Sequence, residues 1–548
     1  MKTVFNIFLH FMSKQYGTDS VVAKKNSTAV SRLIAVVLIF LFPFATYAQS
    51  LSPTTKWHWD EGTIVVECPP RPVGQESALR LQAPKIENVH VAFVGLGNRG
   101  PGAVNRFCHI PGVQIVALCD YEEERAERCQ RFLRETGLPP AVIYSGADGY
   151  KEMCQRSDID LVYVATDWNH HFPVACCALE NGKHVAIEVP AAMNLDQIWT
   201  LIDLCEKTRK HCMMLENCCY DYFEMTVLNM AQAGLFGELI RAEGAYIHYL
   251  NEKSRWKGYW EDPDDNDVDE LHWRMKYNKE NRGDIYPTHG LGPVAQCLNI
   301  HRGDRFATLI AMDTESIAGR EGVREITGDS CSDFRNGDHT TTLLRTARGK
   351  VVEIQHDVMT PQPYDRKFRL TGTKGSAVKY PDPKLFVDNA QATALGVEEI
   401  AGKIAGHNFL ASNEYNALMK KYYHPILAKF GEMGREMGHG GMDYIMDARL
   451  VYCLQNGLPL DMDVYDLAEW CSLAELGALS MDHGCVPVAF PDFTRGEWNV
   501  QQGFCHAYAT PEEETAAEAA AEKFTADLKE YTIKKKLWEK YDRKKSKN

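Results

Sequence analysis

The sequence predicts an α/β chain: a parallel sheet with crossover helices first, then an α+β part built on a large, mostly antiparallel sheet. Three observations carry this. Strand-like and helix-like runs alternate from Val89 to Leu215; a glycine pattern, Gly95, Gly97 and Gly100, stands at the first strand-to-helix turn; and from about Glu216 the runs become short, strand-like and turn-separated. The 548 residues are enough for at least two domains with large cores. With 60 Lys plus Arg against 74 Asp plus Glu, the net charge is -14 and the body of the chain holds no basic block, which argues against a nucleic-acid partner.

In chain order, residues 1–48 read as a signal peptide. Leu33 to Phe44 (LIAVVLIFLFPF) is apolar, follows Lys24, Lys25 and Arg32, and leads to Ala45-Thr46-Tyr47-Ala48, with a cut expected after Ala48. The run is shorter than the roughly 20 residues that span a bilayer, so an exported, periplasmic protein is expected, without a stable membrane anchor. All 17 cysteines lie beyond the cut, but the number is odd, no CxxC occurs, and Cys108, Cys119, Cys176, Cys177 and Cys205 sit in apolar-periodic segments. They read as small buried hydrophobes, and no metal site is expected.

Residues 49–85 read as irregular and 86–215 as the first domain. A strand from Val89 opens into the glycine turn and a helix; Val113 to Leu118 is the second strand, ending in Cys119-Asp120. A charged amphipathic helix from Glu122 to Thr136, a strand from Ile159 to Ala165, a helix from Phe172 to Asn181, a strand from His184 to Ile187, a helix from Leu195 to Arg209 and a strand from Cys212 to Leu215 follow. Residues 216–510 form the second domain. Its expected strands are Arg241 to Tyr249, Ala307 to Met312, His339 to Thr346, Lys350 to His356 and Lys367 to Thr371, with little helix between them. Helical periodicity returns in Asn413 to Lys421, Met442 to Gln455 and Val464 to Asp482. An acidic loop, Glu261 to Glu270, resembles a calcium loop only loosely because the central glycine is missing. The tail, 511–548, reads as a charged solvated helix.

The glycine turn meets the positional requirements of a Rossmann dinucleotide fingerprint. Gly95 permits the tight turn, Gly97 lets the backbone approach a pyrophosphate, and Gly100 allows close helix-sheet packing. Asp120, at the end of the second strand, should accept hydrogen bonds from ribose hydroxyls and repel a 2'-phosphate, so NAD is expected rather than NADP. "ATDWNHHF" (Ala165 to Phe172) and "AIEVPAAM" (Ala186 to Met193) follow strands at the sheet edge where ligands bind. "HGG" at His439 to Gly441 is expected to cap a helix rather than bind an anion.

This order of motifs resembles the Gfo/Idh/MocA oxidoreductases, in which a Glu-Lys-Pro supplies a lysine for proton transfer; here the stretch is Glu188-Val189-Pro190. With "LENCCYDYFE", "EGAYIH", "WRMKYN", "RGDIYPTHGLGP", "NGDHTTTL", "GHGGMDYIMD" and "LPLDMDVYDLAEW", the chain from Val89 to His506 is similar to glycoside hydrolase family 109, the NAD-dependent α-N-acetylgalactosaminidases. The resemblance implies hydrolysis by oxidation at C3, elimination, water addition and re-reduction, with no net redox change and a terminal N-acetylgalactosamine as substrate. It implies cofactor contacts from Gly95, Gly97, Asn98, Arg99, Gly100, Asp120, Trp168, His171, Glu188, Val189 and Asn217, although Asn98 stands where a hydrophobic residue is usual. It implies His289 as base, Tyr286 and Tyr246 as partners in proton transfer, and Tyr246, Arg274, Tyr286, His289, Tyr364 and Glu216 as substrate contacts. Tyr286 and His289 are three apart, on one side of a helical turn; Glu216 could equally be a structural acceptor. Related proteins dimerise through the broad sheet, so a homo-oligomer is expected. The competing reading is an NAD-dependent sugar oxidoreductase; a third is a non-catalytic sugar-binding protein.

Overall fold

A computed structural model describes residues 55–251, 272–328, 333–403, 406–435 and 437–515. The expected signal segment, the acidic loop and the tail beyond residue 515 lie outside the described residues. The stretch ahead of the glycine turn is not wholly irregular, because β1 (Trp57–Asp60) and β2 (Thr63–Val66) form an antiparallel hairpin across Glu61-Gly62. Both turn residues have positive φ, 45° and 84°, as a two-residue hairpin turn requires. Glutamate in place of the usual Asn or Asp hides that signal in the sequence.

The first sheet contains β3 (Val89–Val94), β4 (Val113–Asp120), β5 (Val142–Ser145), β6 (Leu161–Val164), β7 (His184–Ile187) and β8 (Cys212–Met214), all parallel, in the order β5-β4-β3-β6-β7-β8. The crossover helices are α1 (Arg99–Phe107), α2 (Glu123–Glu135), α3 (Gly149–Cys154), α4 (Trp168–Glu180) and α5 (Leu195–Thr208). Because helices cover both faces, β6 and β7 are buried at every position. The strand order reverses between β3 and β6, which opens a crevice at their carboxyl ends. The half-exposed edge strand β5 and α3 lack a clear period and are additions to the expected order. Cys119 and Cys205 are buried; Cys108, Cys176 and Cys177 are half-buried.

The second sheet has ten strands: β1, β2, β9 (Leu239–Ile247), β10 (Phe306–Asp313), β11 (Thr340–Thr346), β12 (Val351–Asp357), β13 (Arg369–Gly372), β14 (Gly375–Val378), β15 (Lys384–Val387) and β16 (Val488–Ala489). Their order is β1-β2-β16-β10-β11-β12-β9-β13-β14-β15; only β12 with β9 and β16 with β2 are parallel. More helix intervenes than expected: α6 (Tyr222–Gln232), α7 (Trp273–Glu280), α8 (Thr288–Cys297) and α9 (Ala318–Thr327) all fall between strands. Later helices are α10 (Asn389–Ala394), α11 (Ser412–Lys421), α12 (Pro425–Gly434), α13 (Met442–Asn456), α14 (Val464–Cys471) and α15 (Leu473–Asp482). The single helix expected from Val464 to Asp482 breaks at Ser472, whose hydroxyl donates to the Glu469 carbonyl at 3.0 Å.

Two glycines bring α8 onto the sheet at contact distance. A Cβ on Gly244 of β9 would stand 2.1 Å from the Gly290 carbonyl oxygen, and one on Gly290 would stand 2.4 Å from the Ala245 nitrogen. Backbone therefore meets backbone where β9 crosses α8. The neighbours in sequence, Ala245-Tyr246 and His289, are drawn together by that approach.

Candidate active site

The glycine turn performs the three tasks read from it. Gly95 has φ 89°, and a Cβ there would lie 2.5 Å from the Ala165 carbonyl carbon; a Cβ on Gly100 would lie 2.0 Å from the Gly95 oxygen. A Cβ on Gly97 would meet only the Arg125 guanidinium, at 3.7 Å, so its backbone faces open space. That space is a cleft of about 430 Å³ at the strand reversal, lined among others by Asn98, Arg99, Asp120, Trp168, His171 and Val189. Asp120 also anchors the turn: its Oδ2 accepts from the Leu96 amide at 2.5 Å and its Oδ1 from the Glu122 amide at 3.0 Å. An open backbone at Gly97, a free helix start at Arg99 and an acid at the second strand end fit NAD.

Trp168 starts α4, which Asp167 caps by accepting from the Asn169 amide. His171, one turn on, is buried, with Nδ1 2.8 Å from the Pro190 carbonyl and Nε2 2.9 Å from that of Thr166. It joins the two loops that follow β6 and β7. Glu188 Oε1 accepts from Arg99 Nε at 3.2 Å and from the Tyr163 hydroxyl at 3.3 Å. Val189 is buried in the cleft wall.

Tyr286 carries the cleft into a second group of side chains. Its ring lies 5.9 Å from Trp168, 4.6 Å from Tyr246 and 5.0 Å from His289, the last perpendicular. Tyr286 stands ahead of α8, which begins at Thr288, so the two rings meet without sharing a helical turn. The Arg274 guanidinium stands over Tyr286 at 4.6 Å and over Trp168 at 4.9 Å, and its Nη2 is buried with no partner among the described residues. Tyr364 is half-exposed at the rim, edge-on to Tyr246.

Glu216, fully buried, stands behind His289, whose Nδ1 lies 2.7 and 2.9 Å from its two oxygens, and its Oε1 also accepts from the Cys218 amide. Burial pushes this carboxyl up, but the adjoining His289 and the hydrogen bonds outweigh burial and hold it below its ordinary value. Glu216 therefore orients the imidazole and leaves Nε2 available. Asn217 is likewise buried outside the cleft lining, donating to Asp443 Oδ1 at 2.6 Å. The expected cap at "HGG" is present: Gly441, with φ 94°, fills the cap position of α13 without a side-chain bond, and His439 Nδ1 lies 2.8 Å from Asp443.

Two residues not singled out in the sequence belong to this region. His248 Nδ1 lies 2.9 Å from the Tyr246 hydroxyl, and the i, i+2 spacing that puts both on one side of an extended strand was legible in "EGAYIH". Asp443 required the fold, because its partners come from distant segments.

Asp284, two residues before Tyr286, is fully buried with no side-chain partner among the described residues, and burial, only weakly opposed by the Tyr286 amide, pushes its carboxyl up to about 7. A raised folded-state value stabilises the protein below the unfolded value near 4, and this contribution is lost as pH climbs toward 7. Asp284→Asn is expected to match the parent in urea unfolding at pH 4 and to exceed it by roughly 4 kcal/mol at pH 8. Equal stability at pH 8 would refute a buried, isolated carboxyl.

Comparison with known proteins gives two family matches. Residues 220–500 match the C-terminal domain of glycosyl hydrolase 109, and residues 89–216 match the oxidoreductase family with an NAD-binding Rossmann fold. Glycosyl hydrolase family 109 protein 3 of Phocaeicola vulgatus is 65% identical over 94% of this chain and 93% of its own. Protein 1 of Bacteroides thetaiotaomicron is 54% identical over 81% and 93%. Among solved structures, a levoglucosan dehydrogenase in complex with NADH and L-sorbose covers 74% of this chain and 100% of its own at 16% identity and TM-score 0.53, a likeness of fold. An oxidoreductase domain protein from Kribbella flavida is similar at TM-score 0.55, 16% identity and the same coverage of both chains.

Proposed function

The chain belongs to glycosyl hydrolase family 109, an enzyme with an NAD-binding domain of oxidoreductase fold, and from that premise we propose that it releases terminal α-linked N-acetylgalactosamine from glycans. NAD is its cofactor. The observation that supports this reading most is the Glu216–His289 pair set against Tyr286, a residue of the cofactor cleft. A base oriented by a carboxylate, beside a dinucleotide cleft, suits chemistry in which a sugar hydroxyl and its neighbouring C–H both give up protons.

Bound NAD supplies the hydride acceptor that takes C3 of the sugar to the ketone level and the donor that restores it. His289, its Nδ1–H held by Glu216, accepts the C3 hydroxyl proton at Nε2. Tyr246 takes the C2 proton as its own hydroxyl proton passes to His248 Nδ1, 2.9 Å away; loss of the C2 proton beside the C3 carbonyl expels the group at C1, water then adds at C1 and the protons return. Burial pushes the Tyr246 phenol up and the Arg274 guanidinium opposes that shift. The unpartnered Nη2 of Arg274 donates to the oxygen that gains charge as C2 loses its proton. Trp168 and Tyr286, both buried, exclude water from the reacting face. Val189 moves no proton, so the proton steps fall to His289 and Tyr246.

In this reading the leader around Leu33 to Phe44 takes the enzyme out of the cytoplasm, and a cofactor restored in place needs no outside redox supply. Incubation with p-nitrophenyl N-acetyl-α-galactosaminide in deuterated water, with no NAD added, is expected to release phenolate and to place deuterium at C2 of the freed sugar. Phenolate without C2 deuterium would count against the elimination route, and no release even with NAD supplied would count against this sugar.

A further inference from the structure

One carboxylate ties a residue of the cofactor cleft, Arg99, to Asn217, which reaches it from the edge of the first sheet. Asp443, 2% exposed, stands on the first turn of α13. Its Oδ1 accepts from Asn217 Nδ2 at 2.6 Å, while Oδ2 lies 2.8 Å from His439 Nδ1, 3.3 Å from Arg99 Nη1 and 3.5 Å from Arg106 Nη1. Arg99 belongs to the glycine turn after β3 and lines the cleft; Asn217 follows β8 at the edge of the same sheet. Glu188 grips the other side of the Arg99 guanidinium. Arg99 is thus fixed between an acid of the Rossmann sheet and an acid of α13, beside the backbone that faces the cofactor's phosphates. Although burial pushes the Asp443 carboxyl up, the His439 hydrogen bond and the Arg99 and Arg106 charges pull it well below the usual range.

We infer that Asp443 is a positioning residue that retains NAD: by tying Arg99 and Asn217 to α13, it makes release of the cofactor depend on breaking a buried charged cluster. This rests on the reading in which NAD stays through turnover, and it names the side chain that keeps it there. Loss of one buried charged partner changes a dissociation constant by one to two powers of ten, and most such changes appear in the off-rate.

The test uses the full chain and no sugar. Purified protein is desalted, its bound NAD is quantified after denaturation, and the release rate is read by chase with isotopically labelled NAD. Asp443→Asn is expected to release NAD about 30-fold faster than the parent. Asp447→Asn is the control: Asp447 pairs at 2.6 Å with Arg106, the outermost member of the Asp443 cluster, and not with Arg99 or Asn217, and its replacement is expected to leave release unchanged. Release in Asp443→Asn within 3-fold of the parent, or equal acceleration in both variants, overturns the inference. Should Asp443→Asn fail to fold, Asp443→Glu, which keeps the charge and displaces it, is measured instead; faster release supports the inference and an unchanged rate overturns it. A parent protein that loses its NAD on desalting would overturn the resident-cofactor reading itself, a different result from unchanged release in the variant.

Discussion

His289→Ala is expected to lower kcat/KM on a p-nitrophenyl N-acetyl-α-galactosaminide by about 10³-fold, with bound NAD unchanged. The imidazole is mostly buried and its Nδ1 is engaged by both oxygens of Glu216, so one tautomer and one ring orientation are enforced. Alanine removes the proton acceptor and leaves a buried carboxylate without its hydrogen-bond donor. Glu216→Gln is expected to lose less activity, because the amide oxygen can still accept from Nδ1 while the charge that favours the imidazolium is gone. Steady-state kinetics with a parallel NAD determination distinguishes loss of the base from loss of the cofactor. More than a tenth of parent activity in His289→Ala would remove His289 from the role of base.

Gly290→Ala is expected to be damaging out of proportion to the single methyl group it adds. Its Cβ would sit 2.4 Å from the Ala245 nitrogen, and no side-chain rotation relieves a contact with backbone. Overpacking costs about 1 to 3 kcal/mol where flexible atoms can yield; here α8 must move off β9 as a unit. The displaced helix carries His289 away from Tyr246, whose rings are 5.3 Å apart. A misplacement of about 1 Å at reacting groups costs roughly 10²-fold in rate, so kcat should fall by that factor together with a lower melting temperature. Gly431→Ala, in α12, where the nearest atom is a tyrosine hydroxyl 3.6 Å from the added Cβ, is the control expected to do neither. Parent-like kcat in Gly290→Ala would mean that the site tolerates a shift of α8.

The first domain was largely legible because parallel strands covered on both faces are continuous apolar runs, as at Leu161–Val164, and because glycine at 95, 97 and 100 has few other uses in that register. Edge strand β5 was not, since half-exposed positions obey no period. In the second sheet, strands such as Val351–Asp357 alternate and announce themselves. The helices between them were under-read: α8 begins with Thr288-His289-Gly290 and holds Gly292 and Pro293, all poor helix formers, and only its burial against β9 makes it a helix. The site divides in the same way. Tyr286 and His289 are three residues apart and could be paired on paper, whereas Glu216 behind His289, or Asp443 with Arg99 and Asn217, joins segments whose proximity is a property of the fold alone.

The edge hairpin has a consequence for how the chain is made. β2 lies beside β16, so a strand synthesised near the beginning waits for one synthesised near the end. Until then β2 has only β1 as a neighbour, and a lone two-stranded hairpin is marginal in water. The Rossmann sheet, whose strands are consecutive in the chain, can assemble while later residues are still arriving; the ten-stranded sheet cannot be completed until nearly all of them have. Maturation is therefore ordered, and the last strand to appear is the one that joins the edge hairpin to the sheet through β2.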